Sequence, residues 1–158
     1  MGKMQRDVMV AGVGMVPFTK PGARVPYDLM GEQAIRMALS DGGVDLAQVE
    51  QVYAGFVYGD SCAGQRVIYR AGMTGIPIVN VNNNCSTGST ALFLARQAVE
   101  SGAVECVLPV AHAANPPASR RPQRFGDSRL GEGVLAVWRA ATDSIPVPRT
   151  SACAAQRQ

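Results

Sequence analysis

Cys85 lies between an apolar, strand-like run and a run of small residues, and this position favours chemistry at its thiol. The residues that follow it have the pattern of a helix. Amide groups and the dipole at a helix N-terminus stabilise a thiolate and an oxyanion, so a cysteine there has a lowered pKa and acts as a nucleophile. The alternative is a free cysteine that only packs at a helix start. The stretch, residues 80–90, reads NVNNNCSTGST.

Strands and helices alternate along residues 8–108, which predicts βαβ units and a mainly parallel α/β sheet. Asp28 is expected to cap the first helix, and Gly42-Gly43 to end it. Helices are predicted from Asp28 to Gly43, over 64–71 and after Cys85, and strands over 8–16, 52–58, 76–81 and 104–108. Core residues are predicted on one face of the first helix (Leu29, Met30, Ala34, Ile35, Met37, Ala38) and of the helix after Cys85 (Ala91, Leu92, Ala95, Ala98, Val99).

The composition changes at Pro109. Residues 109–158 hold six of the ten prolines and seven arginines but no lysine, and their net charge is +4 against −1 for residues 1–108. Only Gly131 to Ala141 has even a weak helical pattern. We therefore predict a domain over 1–108 and an irregular, divergent tail over 109–158. An arginine-only, Ala- and Pro-rich tail is typical of a GC-rich gene translated in another frame, so we hypothesise a frameshift, an alternative end or an error in the gene model near Leu108.

The bulk composition limits the function classes. The chain has 158 residues, 47% hydrophobic and 17% charged, which indicates one globular domain. Its arginines form no patch, which argues against a nucleic-acid partner. It contains neither a secretion signal nor a run of the ~20 apolar residues that a membrane span needs. We expect a cytoplasmic protein; a peroxisomal homologue is conceivable in a eukaryote, but the C-terminal Gln156-Arg157-Gln158 is no such signal.

Other chemical motifs are weak. The four cysteines (Cys62, Cys85, Cys106, Cys153) and the single His112 lack zinc-site spacing, so no metal is expected. Cys62 and Cys106 are interpreted as structural. Gly12-Val13-Gly14 lacks the third glycine of a dinucleotide fingerprint, because Pro17 stands there, and a tight turn at a strand end is expected instead.

Residues 8–108 resemble the thiolase family, and within it the branch of sterol-carrier-protein-x type and lipid-transfer thiolases. The resemblance implies a fold of two similar five-stranded α/β halves, of which this chain would hold the first as an incomplete βαβαβαβ half-domain. The matching segments are VAGVGMVPFTKPGA, AGFVYGDSCAGQRVIYRAGMTGIPIVNVNNNCSTGSTALFLARQAVESG and AVECVL.

The resemblance implies a thiolase-type acyltransferase of fatty-acid or sterol side-chain metabolism. Cys85 matches the family's acyl-accepting cysteine, with Asn82, Ser86 and Gly88 as supporting motif residues. Acyl-CoA or 3-oxoacyl-CoA would be the substrate, with no permanently bound cofactor. The complete protein would form a homo-dimer or higher oligomer. The family's second cysteine and two histidines belong to Gly-His-Pro and Cys-x-Gly segments that this chain lacks, and His112 matches neither, so it receives no role.

We therefore expect the chain alone to be inactive. Three alternatives stay open: a non-catalytic lipid-transfer or acyl-CoA-binding relative, a short interaction form of a thiolase, and a half-domain that does not fold stably by itself. In the last case, the missing packing partner would remove burial needed against ~1–2 kcal/mol of backbone entropy per residue.

Overall fold

A five-stranded mixed sheet forms the centre of the protein. The computed structural model describes residues 6–17 and 25–112, and the backbone of residues 134–140. The strand order is β1-β5-β4-β2-β3; β2, β3 and β4 are mutually parallel, and β5 runs antiparallel to β1 and β4. The elements are β1 (Val8–Met15), α1 (Tyr27–Gly42), β2 (Gln51–Phe56), α2 (Ala63–Ala71), β3 (Ile78–Val81), α3 (Thr87–Glu100), β4 (Cys106–His112) and β5 (Val134–Ala140).

Helices cover both faces of the sheet. Residues of α1 and α2, among them Ile35 and Ile68, pack with Val52 and Leu108 on one face. On the other face, Ala95 and Val99 of α3 pack with Val107. Adjacent residues of β4 thus contribute to opposite cores, as the two-residue period of a strand requires. The predicted mainly parallel α/β sheet is confirmed.

The strand after α3 extends further than predicted. β4 continues to His112, past the expected end at Leu108. Pro109 is tolerated because it lies beyond Cys106 and Val107, the two residues of β4 that pair with β5, so its missing N–H costs no bond to that strand.

The predicted weak helix at 131–141 is wrong, because Val134–Ala140 forms β5. β-branched and aromatic residues favour a strand, and pairing with β1 over seven positions stabilises it. Residues 113–133 and 141–158, with Cys153, lie outside the described residues. The irregular tail and the domain boundary therefore stay predictions.

The ends of α1 differ in how well they were predicted. Gly43 ends the helix with φ +59°, and its N–H contacts the carbonyls of Leu39 and Ser40, as expected for a glycine C-cap. Asp28 does not cap the other end, because Pro26 takes the N-cap position without a side-chain bond. The Asp28 side chain is buried instead and accepts hydrogen bonds from arginines of α2.

Several predicted core residues are partly exposed. Leu29 and Met37 of α1 are 38% and 43% exposed, and Leu92 of α3 is 38% exposed. The other predicted core positions of both helices are buried. Each exposed residue lies at the margin of its helix's apolar stripe. The helix after Cys85 is therefore buried along one face only.

The two glycines of β1 allow α1 to approach the strand closely. A Cβ on Gly12 would lie 2.4 Å from the Ala38 carbonyl oxygen, and one on Gly14 would lie 2.2 Å from that of Ala34. Both glycines lie within β1, so the predicted tight turn is wrong. The Gly-Val-Gly spacing reflects helix–strand packing, since alternate residues of a strand face the same side.

Candidate functional site

Cys85 lies in a single 3-10 turn, Asn84–Ser86, which joins β3 to α3. Its thiol is exposed. Because α3 begins at Thr87, the cysteine precedes the helix by two residues rather than forming its first one. The turn lies at the carboxyl edge of parallel strands, which is where α/β sheets place their sites.

The turn holds one residue in an uncommon backbone conformation. Asn84 has φ +49°, the left-handed region, and it is the non-glycine residue with positive φ in the described part of the chain. Its N–H donates to Oδ1 of Asn82 at 3.2 Å, and the N–H of Ser86 donates to the Asn83 carbonyl at 3.0 Å. Strained residues of this kind concentrate at functional sites.

Sequence reasoning missed three residues that hold this turn. Thr87 Oγ1 donates to the Val81 carbonyl at 2.8 Å and accepts from the Asn83 N–H at 3.3 Å. Asn83 Nδ2 donates to Thr90 Oγ1 at 2.9 Å. Their signal was a pair of threonines in the first turn of a helix after consecutive asparagines, since these side chains bond readily to nearby backbone.

The supporting residues predicted around Cys85 occupy different places. Asn82 connects the turn to the loop after β2, because its Nδ2 donates to the Val57 carbonyl at 3.4 Å. Ser86 precedes α3, but its side chain makes no capping bond. At Gly88, a Cβ would lie 3.2 Å from the Cβ of Ala111 on β4, so a small residue fits this helix–sheet contact.

A second polar cluster lies where α1 and α2 meet the end of β4. Arg70 Nε and Arg66 Nε donate to Oδ2 of Asp28 at 2.6 and 3.3 Å. Burial opposes ionisation of Asp28, but the hydrogen bonds from Arg70 and Arg66 outweigh it, so the pKa of this carboxyl is lowered. Arg66 also bonds to Asp60 at 3.2 Å.

His112 is buried in this cluster. Its ring stacks on Tyr27 at 4.8 Å and lies 5.9 Å from the ring of Phe56. Burial lowers the pKa of His112 to about 4. Neither ring nitrogen has a hydrogen-bond partner among the described residues. A neutral histidine between aromatic rings has the packing role of an aromatic residue and not the proton-transfer role of a base.

The described residues contain no group of three His, Cys, Asp or Glu side chains that could hold a metal ion. Among the same residues, no helix is both long enough and apolar enough to cross a membrane.

Comparison with known proteins gives close relatives for the first two thirds of the chain. Sterol carrier protein 2 of Gallus gallus is 56% identical over 107 residues, which are 66% of this chain and 20% of the relative. The benzoylsuccinyl-CoA thiolase subunit BbsB of Thauera aromatica is 33% identical over 108 residues, or 67% of this chain and 28% of that protein. The chain therefore spans between 20% and 28% of the length of these relatives.

The fold of the chain is also similar to solved structures. The structure of the priming β-ketosynthase from the R1128 polyketide biosynthetic pathway superposes with a TM-score of 0.66 and 22% identity, over 89% of this chain and 52% of that one. At this identity the likeness shows a thiolase-like fold and nothing finer. The family model for the thiolase N-terminal domain matches residues 8–112. This match extends from β1 to the last residue of β4, and the chain belongs to the thiolase family.

Proposed function

We propose that the protein is a thiolase-type acyltransferase of lipid metabolism in which Cys85 accepts an acyl group from acyl-CoA or 3-oxoacyl-CoA. The observation that carries this proposal is an exposed thiol in a strained turn, placed at the carboxyl edge of parallel strands and two residues before α3 begins. The described residues place another exposed thiol, Cys62, before α2, but no strained turn surrounds it.

The chemistry needs a thiolate, a thioester and a group that stabilises negative charge. The Cys85 thiolate attacks the thioester carbonyl, the new carbon–sulfur bond forms, and the bond to the CoA sulfur breaks. CoA leaves as a thiolate and takes up a proton from solvent. The N–H of Thr87 is bonded to the Asn84 carbonyl, so the candidate donors to the oxyanion are the later backbone N–H groups of the first turn of α3. Coenzyme A enters as part of the substrate.

Full turnover needs further proton transfers. Cys106 is buried at the start of β4, the far end of that strand from the Cys85 turn. His112 is buried against Tyr27 and Phe56. Neither group is available to exchange protons with a substrate at Cys85. We therefore expect this chain to undergo acylation at Cys85 without repeated turnover.

The names of relatives support the substrate class. They include a benzoylsuccinyl-CoA thiolase subunit and an acetyl-CoA acetyltransferase of Pseudomonas aeruginosa, 32% identical over 111 residues. Each shares only 28% of its own length with this chain. A CoA thioester is therefore the proposed substrate, and neither chain length nor sterol preference is assigned.

The test is covalent labelling of the full chain. Acetyl-CoA, octanoyl-CoA and palmitoyl-CoA are incubated with the protein, and the modified peptide is located by mass spectrometry. We expect the acyl adduct on Cys85, its loss in Cys85→Ser, and its retention in the matched variant Cys62→Ser. A folded protein that forms no adduct, or forms it equally on both exposed cysteines, contradicts the proposal.

The second candidate function is lipid or acyl-CoA binding without catalysis. A surface hollow of about 740 Å³ lies between α1 and the outer edge of β1, lined by the apolar Val13, Leu29 and Met37 and by polar residues of α1. Its volume is in the range of small-molecule sites. Relatives named for this role include the non-specific lipid-transfer protein-like 2 of Caenorhabditis elegans, 44% identical over 103 residues.

This hollow does not include Cys85, so the two functions can be separated. If lipid binding is the function, Met37→Asp weakens binding of a fluorescent fatty acid and Cys85→Ser does not. Fatty-acid binding without any adduct on Cys85 would favour this second function over the first.

A further inference from the structure

Thr87 is the first residue of α3, and its hydroxyl faces back towards the end of β3. It donates to the Val81 carbonyl at 2.8 Å and accepts from the Asn83 N–H at 3.3 Å. The residue is only 5% exposed. One buried hydroxyl therefore uses both its donor and its acceptor capacity to connect the two ends of the turn that carries Cys85.

The turn between these bonds needs such support. Asn84 has φ +49°, the left-handed region, which asparagine adopts more readily than other non-glycine residues when local hydrogen bonds support it. Asn82 supplies one contact through its bond to the Asn84 N–H. The bonds of Thr87 close the turn on both sides of Asn84, at Asn83 and at the helix start.

The position of Thr87 is itself fixed by the sheet. A Cβ on Gly55 of β2 would lie 2.7 Å from the Thr87 carbonyl oxygen, so backbone meets backbone at this point without an intervening side chain. Thr87 thus has its hydroxyl bonded to β3 and its carbonyl against β2. These two contacts fix the position of the 82–86 turn relative to β2 and β3.

We propose that Thr87 is a positioning residue for Cys85. Its hydroxyl holds the 82–86 turn closed, and the closed turn fixes the position of Cys85 relative to the start of α3. Thr87 itself has no part in bond making. The importance of this placement for acyl transfer rests on the proposed function, whereas the placement itself does not.

The experiment compares Thr87→Val, which keeps the branched shape and removes the hydroxyl, with Thr87→Ser, which keeps the hydroxyl. Each full-length variant is alkylated with iodoacetamide below its unfolding transition, and the rates at Cys85 and Cys62 are followed by peptide mass spectrometry. Cys62 is the internal reference because it is also exposed. Ser101→Ala is the matched control, since it removes a hydroxyl bonded to the Ala98 carbonyl at the other end of α3.

We expect Thr87→Val to slow alkylation of Cys85 at least about fivefold relative to Cys62, because small displacements at a reacting group have large effects on rate. Thr87→Ser and Ser101→Ala should stay within about twofold of the native ratio. If Thr87 only stabilised the fold, Thr87→Val would lower the unfolding midpoint and leave the ratio of Cys85 to Cys62 alkylation rates unchanged. An unchanged ratio in Thr87→Val therefore overturns the proposal.

A second measurement covers the case in which Thr87→Val does not fold. Hydrogen exchange of the native protein should show the Asn83 amide protected, because that amide donates to Thr87 Oγ1. An Asn83 amide that exchanges as fast as in an unfolded peptide overturns the proposal without any variant. The two proposals can fail separately. If acyl-CoA does not label Cys85, but the Asn83 amide is protected and alkylation of Cys85 is slowed in Thr87→Val, the proposed function is wrong. Thr87 would then still be the residue that positions the thiol.

Discussion

Asp28 of α1 and Arg70 of α2 form an ion pair in which 2.6 Å separates Oδ2 from Nε. The aspartate side chain is 2% exposed, and the same oxygen accepts a bond from Arg66. Two helices that share one face of the sheet are thus joined through a single buried carboxylate. Removing the charge leaves two guanidinium groups without the buried carboxylate that offsets their positive charges.

Asp28→Asn should therefore destabilise the fold by about 1–3 kcal/mol, measured by urea unfolding. The matched control is Asp60→Asn, which removes a bond between Arg66 and a carboxylate that is 67% exposed and should change little. Equal effects of the two substitutions would contradict the role assigned to the buried carboxylate.

The same ion pair predicts a dependence on strong acid. The pKa of Asp28 is lowered from 3.8, so the unfolded chain binds a proton more readily than the folded one. The contribution of Asp28 is fully present above the ordinary carboxyl pKa and is lost as the pH falls through the lower, folded value. Unfolding midpoints of the native protein and Asp28→Asn should therefore converge only below about pH 4.

His112 predicts a second acid dependence in a different pH window. Its pKa falls from 6.5 to about 4 on folding, because burial between aromatic rings disfavours the imidazolium. Between these values the unfolded chain binds more protons, so stability decreases as the pH falls from 6.5 to 4. The full loss is about 3 kcal/mol, from 1.36 kcal/mol per pKa unit.

His112→Phe keeps an aromatic ring in the stack and removes the titrating group. We expect its free energy of unfolding to stay nearly constant over that window, while the native protein loses stability. Urea unfolding at a series of pH values provides the comparison. The assignment is wrong if both proteins lose the same amount between pH 6.5 and 4.

Gly55 predicts a steric effect on the Cys85 turn. The Cβ of Gly55→Ala would lie 2.7 Å from the Thr87 carbonyl oxygen, and neither strand nor helix backbone can yield without cost. We expect destabilisation of about 1–3 kcal/mol and altered iodoacetamide reactivity of Cys85. In Gly88→Ala the new methyl would meet only the Ala111 side chain, at 3.2 Å, so its effect should be smaller. Full stability of Gly55→Ala would refute the close approach.

The edge strand β3 predicts self-association. It ends the sheet order, and its Val79 is 38% exposed. An unpaired edge with apolar side chains is a surface on which a second copy can pair. We expect sedimentation velocity to show a dimer that Val79→Lys converts to monomer. The matched control is Val13→Lys on the opposite edge strand, and a native monomer, or a dimer sensitive only to Val13→Lys, would contradict this interface.

The parallel strands could be predicted because their apolar runs are short, local and separated by helices with clear stripes. β5 could not, since a strand embedded among arginines, prolines and alanines is stabilised by pairing with β1, far away in the sequence. Cys85 could be placed before a helix from its neighbours alone. Its turn could not be predicted, because the groups that hold it bond to backbone atoms such as the Val81 carbonyl. Every residue has such a carbonyl, so residue types do not show which one is bonded.

The place of β5 between β1 and β4 has a consequence for folding. Val13 pairs with Ala136, which lies 123 residues later in the chain. β1 therefore has no partner along the edge that pairs with β5 until β5 forms, whereas β2, β3 and β4 can pair with each other earlier. Such long-range closure is slow and leaves apolar edges open to misassociation.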